Sequence, residues 1–197
     1  YLETCPHYLL LDESAYGLEN GHRYITTPPL RTPADREALW QALTDGEIDT
    51  IGTDHCPFTC AQKDPSAVAF QEVPNGLSAV ETRFALLYTY GALDGRLRLP
   101  QLSRLLATNA ARIFRLPEKG EVRPGADADL FIWDPEPETM ITHANQHGRA
   151  DWTPYDGVPV AGRLTHTLLR GRCLVENGEW VAGDPAGQLL PRMGIKG

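Results

Sequence analysis

The run Thr53-Asp54-His55-Cys56-Pro57 holds the residue types best suited to chemistry in this sequence. A carboxylate is a hard oxygen ligand for a divalent cation, and it can also accept a proton from metal-bound water. Asp54 follows Ile48-Asp49-Thr50-Ile51-Gly52-Thr53, whose β-branched residues favour a strand. In a strand–helix alternation, the carboxyl end of a strand is where barrel enzymes keep their reacting groups. Asp after a strand also caps turns, so Asp54 taken alone fits either role. His55 and Cys56 are neighbours, and their side chains leave a strand in different directions. Both are therefore not expected on one ion with Asp54. His55 fits a hydrogen-bonded histidine beneath a loop, and Cys56 a small buried hydrophobe.

Two other loops offer polar groups. Thr27-Pro28-Pro29 is rigid, which would let the backbone of Thr27 face a ligand, or would simply stop a strand. Asn75-Gly76 could match a ligand amide with its own amide, or make a plain turn. Cys5, His7, His55, Cys56 and Cys60 could together form a structural zinc site, but their spacing is not that of common zinc modules. The four cysteines are too sparse for a disulfide framework and read as reduced thiols of a cytoplasmic protein, with a local Cys56–Cys60 bridge as the alternative. Phosphate-loop, nucleophile-elbow and basic nucleic-acid motifs are absent.

Glu3 to Leu11 reads as a strand end and a turn, and Arg23–Thr27 as a short strand. A helix is capped by Thr32, opens on Pro33 and stops at Gly46. The Ile48–Thr53 strand follows, so strand, helix and strand succeed one another with short connections, as in a parallel sheet. Further helices are expected from Ser78 to Tyr90, ended by Gly91, and from Pro100, with Asn109 capping a short one through Phe114. Beyond Leu116 the pattern changes to strands at Ala128–Asp134 and Thr165–Val175, kinked at Gly171, with an Asn177-Gly178 hairpin turn. The tail from Ala182 to Gly197 is expected to be irregular.

The chain of 197 residues is long enough for one ordinary domain or two small ones. A formal net charge of -8 disfavours nucleic acid and anionic membrane surfaces as partners. No apolar run nears the roughly 20 residues of a membrane span, and no leader is apparent. The first residue is Tyr1 rather than Met, as expected of a processed product or a fragment.

Several motifs in order carry a resemblance: Leu2-Glu3-Thr4-Cys5-Pro6-His7-Tyr8-Leu9, Thr27-Pro28-Pro29-Leu30-Arg31, Gly52-Thr53-Asp54-His55-Cys56-Pro57-Phe58 and Val73-Pro74-Asn75-Gly76. With Ala107–Ala111, Lys119–Asp134 and Gly187–Leu190, they resemble the second half of hydantoinases and dihydropyrimidinases, which are cyclic amidohydrolases. The resemblance implies an α/β fold, with the last units of a (β/α)8 TIM-type barrel over residues 1–116 and strands of a small β-sandwich with a terminal tail over 117–197. It implies that Asp54 binds a metal and moves the proton. It implies that Thr27 and Asn75 bind the substrate ring, largely through their backbones. The implied reaction is hydrolytic opening of a cyclic amide with two divalent metal ions, zinc by preference. The His-x-His pair, the carboxylated lysine and two further His ligands would lie upstream of Tyr1. The missing amino-terminal part of the same enzyme, a small cyclic amide and further copies in a homo-oligomer are then the expected partners, and the isolated chain is expected to be inactive. Allantoinase is the nearest rival enzyme. A dihydropyrimidinase-like assembly protein without catalysis is the rival of another class.

Overall fold

The computed structural model describes residues 1–64, 66, 69–184 and 186–191. The chain opens with a two-residue strand β1 (Glu3–Thr4) and a short helix α1 (Pro6–Leu10). The apolar run Tyr8–Leu11, expected as a turn, thus lies mostly in a helix started by Pro6.

Helix α2 (Pro33–Asp45) forms as its sequence dictates. Thr32 and Asp35 make a reciprocal capping box, and Gly46 ends the helix in the left-handed region at φ 80°. Trp40 and Leu43 point inward, and the Trp40 indole donates to the Leu9 carbonyl at 2.8 Å, tying α2 to α1. Leu9, Trp40, Leu43, Ile48, Ile51 and Leu102 belong to one buried cluster.

Strand β2 (Thr50–Ile51) pairs in parallel with β1, Glu3 opposite Thr50 and Thr4 opposite Ile51. The parallel pairing expected around α2 is therefore present, but its first strand is Glu3–Thr4. The Arg23–Thr27 stretch is not a strand. Gly21–Tyr24 is a 3-10 turn, and the Ile25 carbonyl accepts from the Lys63 ammonium at 2.9 Å and the Gly76 amide at 3.1 Å, not from a ladder. β2 is shorter than its β-branched run because β1 turns into a helix at Pro6, leaving nothing on that side to pair with beyond Gly52, whose amide bonds the Thr4 carbonyl at 2.9 Å.

The helix expected from Ser78 starts later. The His55 ring nitrogen accepts the amides of Ala79 and Val80, at 3.1 and 3.3 Å, and holds that segment out of the helix. Helix α3 (Arg83–Leu87) follows and runs through a π-helical turn, Tyr88–Leu93, past Gly91. Gly91 packs against the Trp40 ring rather than stopping the helix. Helix α4 (Leu99–Ser103) continues through a π-helical stretch, Arg104–Thr108, into α5 (Asn109–Phe114). Asn109 is no cap, since its neighbours are already helical. Its side-chain amide instead donates to the Asp49 carbonyl at 2.7 Å, anchoring the approach to β2.

The second half is a four-stranded antiparallel sheet in the order β3 (Leu130–Met140), β4 (Pro159–Leu169), β5 (Arg172–Glu176) and β6 (Glu179–Trp180). The Asn177-Gly178 turn has φ 53° and 84°, and Arg170-Gly171 has φ 49° and 80°, so both hairpins use left-handed pairs. β3 and β4 reach further than their sequence suggested. Pro135 and Pro137 fall where the β3–β4 register shifts between Asp134 and Glu138, so a bulge absorbs their missing donors. Gly162 is required opposite, because a Cβ there would lie 2.1 Å from the Trp133 indole nitrogen.

The two halves share a core. Phe84 meets the edges of Phe131 and Trp133, and Leu86, Tyr155 and Val160 lie in one buried cluster. The described part of the tail beyond Ala182 is irregular, as expected, and residues 185 and 192–197 lie outside the described residues. No helix among the described residues is long and apolar enough to cross a membrane.

Candidate functional site

Asp54 follows β2 by three residues, is exposed, and has φ 42°. A side chain pays a conformational cost in this left-handed region, and Asp bears it better than most because its short polar group bonds locally. His55 and Cys56 are held by backbone pairing to the next loop: His55 bridges Leu77, and the Cys56 amide donates to the Leu77 carbonyl at 3.1 Å.

That loop carries Asn75-Gly76. Gly76 has φ 129°, and a Cβ on it would lie 2.4 Å from the Cys56 Cβ. Only glycine lets the Asn75 loop press this closely on the Asp54 loop. From the other side, the Thr27 hydroxyl donates to Oδ1 of Asn75 at 2.8 Å. Both side chains are exposed. The Thr27–Pro28 peptide is cis, and the Tyr8 hydroxyl donates to the Pro28 carbonyl at 2.8 Å. Burial pushes the Tyr8 hydroxyl up to about 12, so it stays a donor. A cavity of 560 Å³ lies alongside, lined by Tyr16, Ile25, Thr27, Val73 and Asn75 among others. Thr27 and Asn75 are therefore brought together directly, and the Asp54 loop abuts the Asn75 loop.

Near Asp54 lie Glu3, Cys5 and His7, which belong to the first motif, and Arg83, which the sequence did not single out. The Glu3 carboxylate accepts from the Thr50 hydroxyl at 2.9 Å and fills the space over Gly52. Arg83 reaches the Ile51 carbonyl at 3.1 Å, and burial draws its pKa below the usual value. His7 is 1% exposed, and among the described residues neither ring nitrogen has a hydrogen-bond partner. Burial pulls its pKa down to about 4, with the Asp54 carboxylate opposing the shift, so His7 is neutral at pH 7. Cys5 is pushed up to about 12, chiefly by burial, and is a protonated thiol. No periodicity marks these residues; they follow from the β1–β2 register and the approach of α3.

The proposed zinc constellation does not assemble. Cys5, Cys56, Cys60 and Cys173 are all free, and the Cys60 backbone amide instead bonds Asp151 at 2.8 Å. Among the described residues, no three His, Cys, Asp or Glu side chains are grouped to hold a metal ion. Asp54 is a lone carboxylate in this respect, so the residues present do not by themselves fit a metal centre.

The family model described as Amidohydrolase family matches residues 7–174. The chain belongs to the amidohydrolase family, among the D-hydantoinases and dihydropyrimidinases. It is 40% identical over 194 residues to a D-phenylhydantoinase of Escherichia coli O1:K1 / APEC, covering 98% of this chain and 42% of the relative. It superposes on the D-hydantoinase (dihydropyrimidinase) from Thermus sp. with a TM-score of 0.93 at 40% identity, covering 98% of this chain and 43% of that one. For the D-hydantoinase from a Bacillus sp. AR9 the TM-score is 0.95 at 36% identity, covering 100% of this chain and 44% of that one. This amidohydrolase chain thus spans little more than two fifths of the length of these relatives.

Proposed function

We propose that this chain is the carboxy-terminal part of a metal-dependent hydrolase that opens cyclic amide rings of the hydantoin and dihydropyrimidine type. What supports the reading is the Thr27–Asn75 hydrogen bond together with the packing of the Asn75-Gly76 loop on Cys56, two residues beyond Asp54. In this reading residues 1–116 are the last units of a (β/α)8 barrel and 117–197 strands of a β-sandwich with a tail. The complete enzyme is a cytoplasmic homo-oligomer that binds neither nucleic acid nor membrane.

The work assigned to this chain is specific. Thr27 and Asn75 hold the ring amide through their peptide groups, which match it donor to acceptor. Asp54 is a metal ligand and proton carrier, taking the proton of the attacking water and delivering it to the leaving ring nitrogen. The hydrolysis breaks the ring C–N bond, forms a carboxylate from the carbonyl and water, and leaves a protonated nitrogen. The rest of the two-zinc site, including a carboxylated lysine, comes from polypeptide outside these residues.

Ring opening of hydantoin, dihydrouracil and allantoin by the complete enzyme, purified with zinc, tests this. Opening of the first two supports the reading. Opening of allantoin alone moves the chain to allantoinases. No activity and no retained zinc would place it with non-catalytic relatives.

A further inference from the structure

Lys63 is the least expected charge in the molecule. It is 0% exposed, and among the described residues no carboxylate forms an ion pair with it. Burying an ammonium without a counter-ion is unfavourable unless other groups replace its hydration. Here the replacement is a carbonyl and two aromatic faces. Nζ donates to the Ile25 carbonyl at 2.9 Å and lies 5.9 and 6.0 Å from the ring centroids of Phe58 and Trp152. The Trp152 indole in turn donates to the Phe58 carbonyl at 2.9 Å, closing the box.

These contacts fall at the base of each site loop. Ile25 is two residues before Thr27, and Phe58 is four after Asp54. The Ile25 carbonyl also accepts the amide of Gly76, next to Asn75, at 3.1 Å. One carbonyl oxygen therefore takes two donors, one charged, and through it the Thr27 loop is fixed against the Asn75 loop. A charge-assisted bond of this kind is about twice as strong as a neutral one. Burial lowers the Lys63 pKa to about 8, which still leaves the ammonium form dominant at neutral pH.

We propose that Lys63 is a positioning residue for the ring site, its ammonium locking the Ile25 carbonyl and so setting the register of Thr27 against Asn75. The assignment rests on the reading of Thr27 and Asn75 as the groups that hold the substrate ring. It predicts that losing the charge loosens both loops and weakens ring binding while leaving the proton chemistry of Asp54 in place.

The test uses the complete enzyme with Lys63→Met, which keeps an apolar stem and removes the donor. Amide hydrogen exchange over residues 24–28 and 73–76 is expected to speed up by about tenfold, with α2 unchanged as the internal control. KM for hydantoin is expected to rise by about tenfold with kcat altered less than about threefold, the pattern of lost ring binding. Thr27→Val should cost less in Lys63→Met than in the wild type, since the two act through one contact. If Lys63→Met does not fold, Lys63→Gln, a neutral donor, is measured in the same way. Unchanged exchange in the two loops overturns the proposal, and so does faster exchange with KM within twofold of wild type. A wild type that opens no cyclic amide defeats the functional reading itself, and the wild-type control alone reveals it.

Discussion

The Thr27 hydroxyl donates a 2.8 Å hydrogen bond to Oδ1 of Asn75, joining loops 48 residues apart in sequence. The Asn75 side-chain amide in turn donates to the Val73 carbonyl at 3.4 Å. A net contribution of about 0.5–1.5 kcal/mol for such a bond corresponds to roughly 2- to 12-fold in an equilibrium. Thr27→Val in the complete enzyme is therefore expected to lower kcat/KM for hydantoin by a factor in that range. Thr27→Ser keeps the hydroxyl and should stay near wild type. Equal losses in both variants would show that the hydroxyl bond is not what holds the loops.

Asp54 combines an exposed carboxylate with φ 42°. If Asp54 has the proposed role, function and backbone comfort are opposed there, since glycine would adopt this conformation without penalty. Asp54→Gly is expected to leave stability unchanged or raise it by up to about 1 kcal/mol, while ring opening falls by at least about a hundredfold. Asp54→Asn, without the conformational gain, should lose activity to the same extent at wild-type stability. Urea unfolding midpoints and kcat/KM, measured side by side, check both halves. An active Asp54→Asn enzyme would remove Asp54 from the chemistry.

His7 is buried without a hydrogen-bond partner among the described residues, and burial depresses its pKa from 6.5 to about 4. The unfolded chain then binds a proton that the folded one refuses, so stability is full above the unfolded value. It declines as pH falls through about 6.5 and goes on declining to about 4, a loss on the order of 3 kcal/mol if His7 acts alone. His7→Gln carries no titrating ring and should flatten this part of the curve. Urea midpoints from pH 7.5 to 4 for the two proteins would differ in slope; parallel curves would mean that His7 gains a partner or water in solution.

What was legible from the residues depended on how local the cause was. The Thr32 cap of α2, the Gly46 stop and the Asn177-Gly178 turn are each set by a few adjacent residues, and they form as read. The Arg23–Thr27 strand and the Asn109 cap failed because distant partners decide there: Lys63 and Gly76 take the Ile25 carbonyl, and Asp49 takes the Asn109 amide. The site divides in the same way. Thr27, Asp54 and Asn75 lie in motifs that resemblance could point to, and the structure places Thr27 on Asn75. The burial of Lys63 and Arg83 is set by tertiary approach, and no spacing announced them; His7 stood in a motif, but its burial without a ligand did not follow from it. In the antiparallel sheet, Pro135 and Pro137 hid half of β3, because a bulge tolerates prolines that a regular ladder rejects.

A site that binds two divalent ions needs several nitrogen and oxygen donors converging within about 2 Å of each ion. Among the described residues no three candidate side chains converge, and Asp54 offers one carboxylate. His7, although near enough to feel the Asp54 charge, is buried and held neutral, while the Cys5 thiol stays protonated. The isolated 197-residue chain is therefore expected to retain less than one zinc per molecule after dialysis and to leave hydantoin unopened. The exposed Phe131, Ile132 and Trp180 on the antiparallel sheet should also drive it to associate unless the rest of the enzyme covers them. Metal analysis and a ring-opening assay on the purified chain decide the matter. Steady turnover with bound zinc would mean that these residues assemble a complete centre after all, and Asp54 would then have partners in this chain that its present neighbours do not supply.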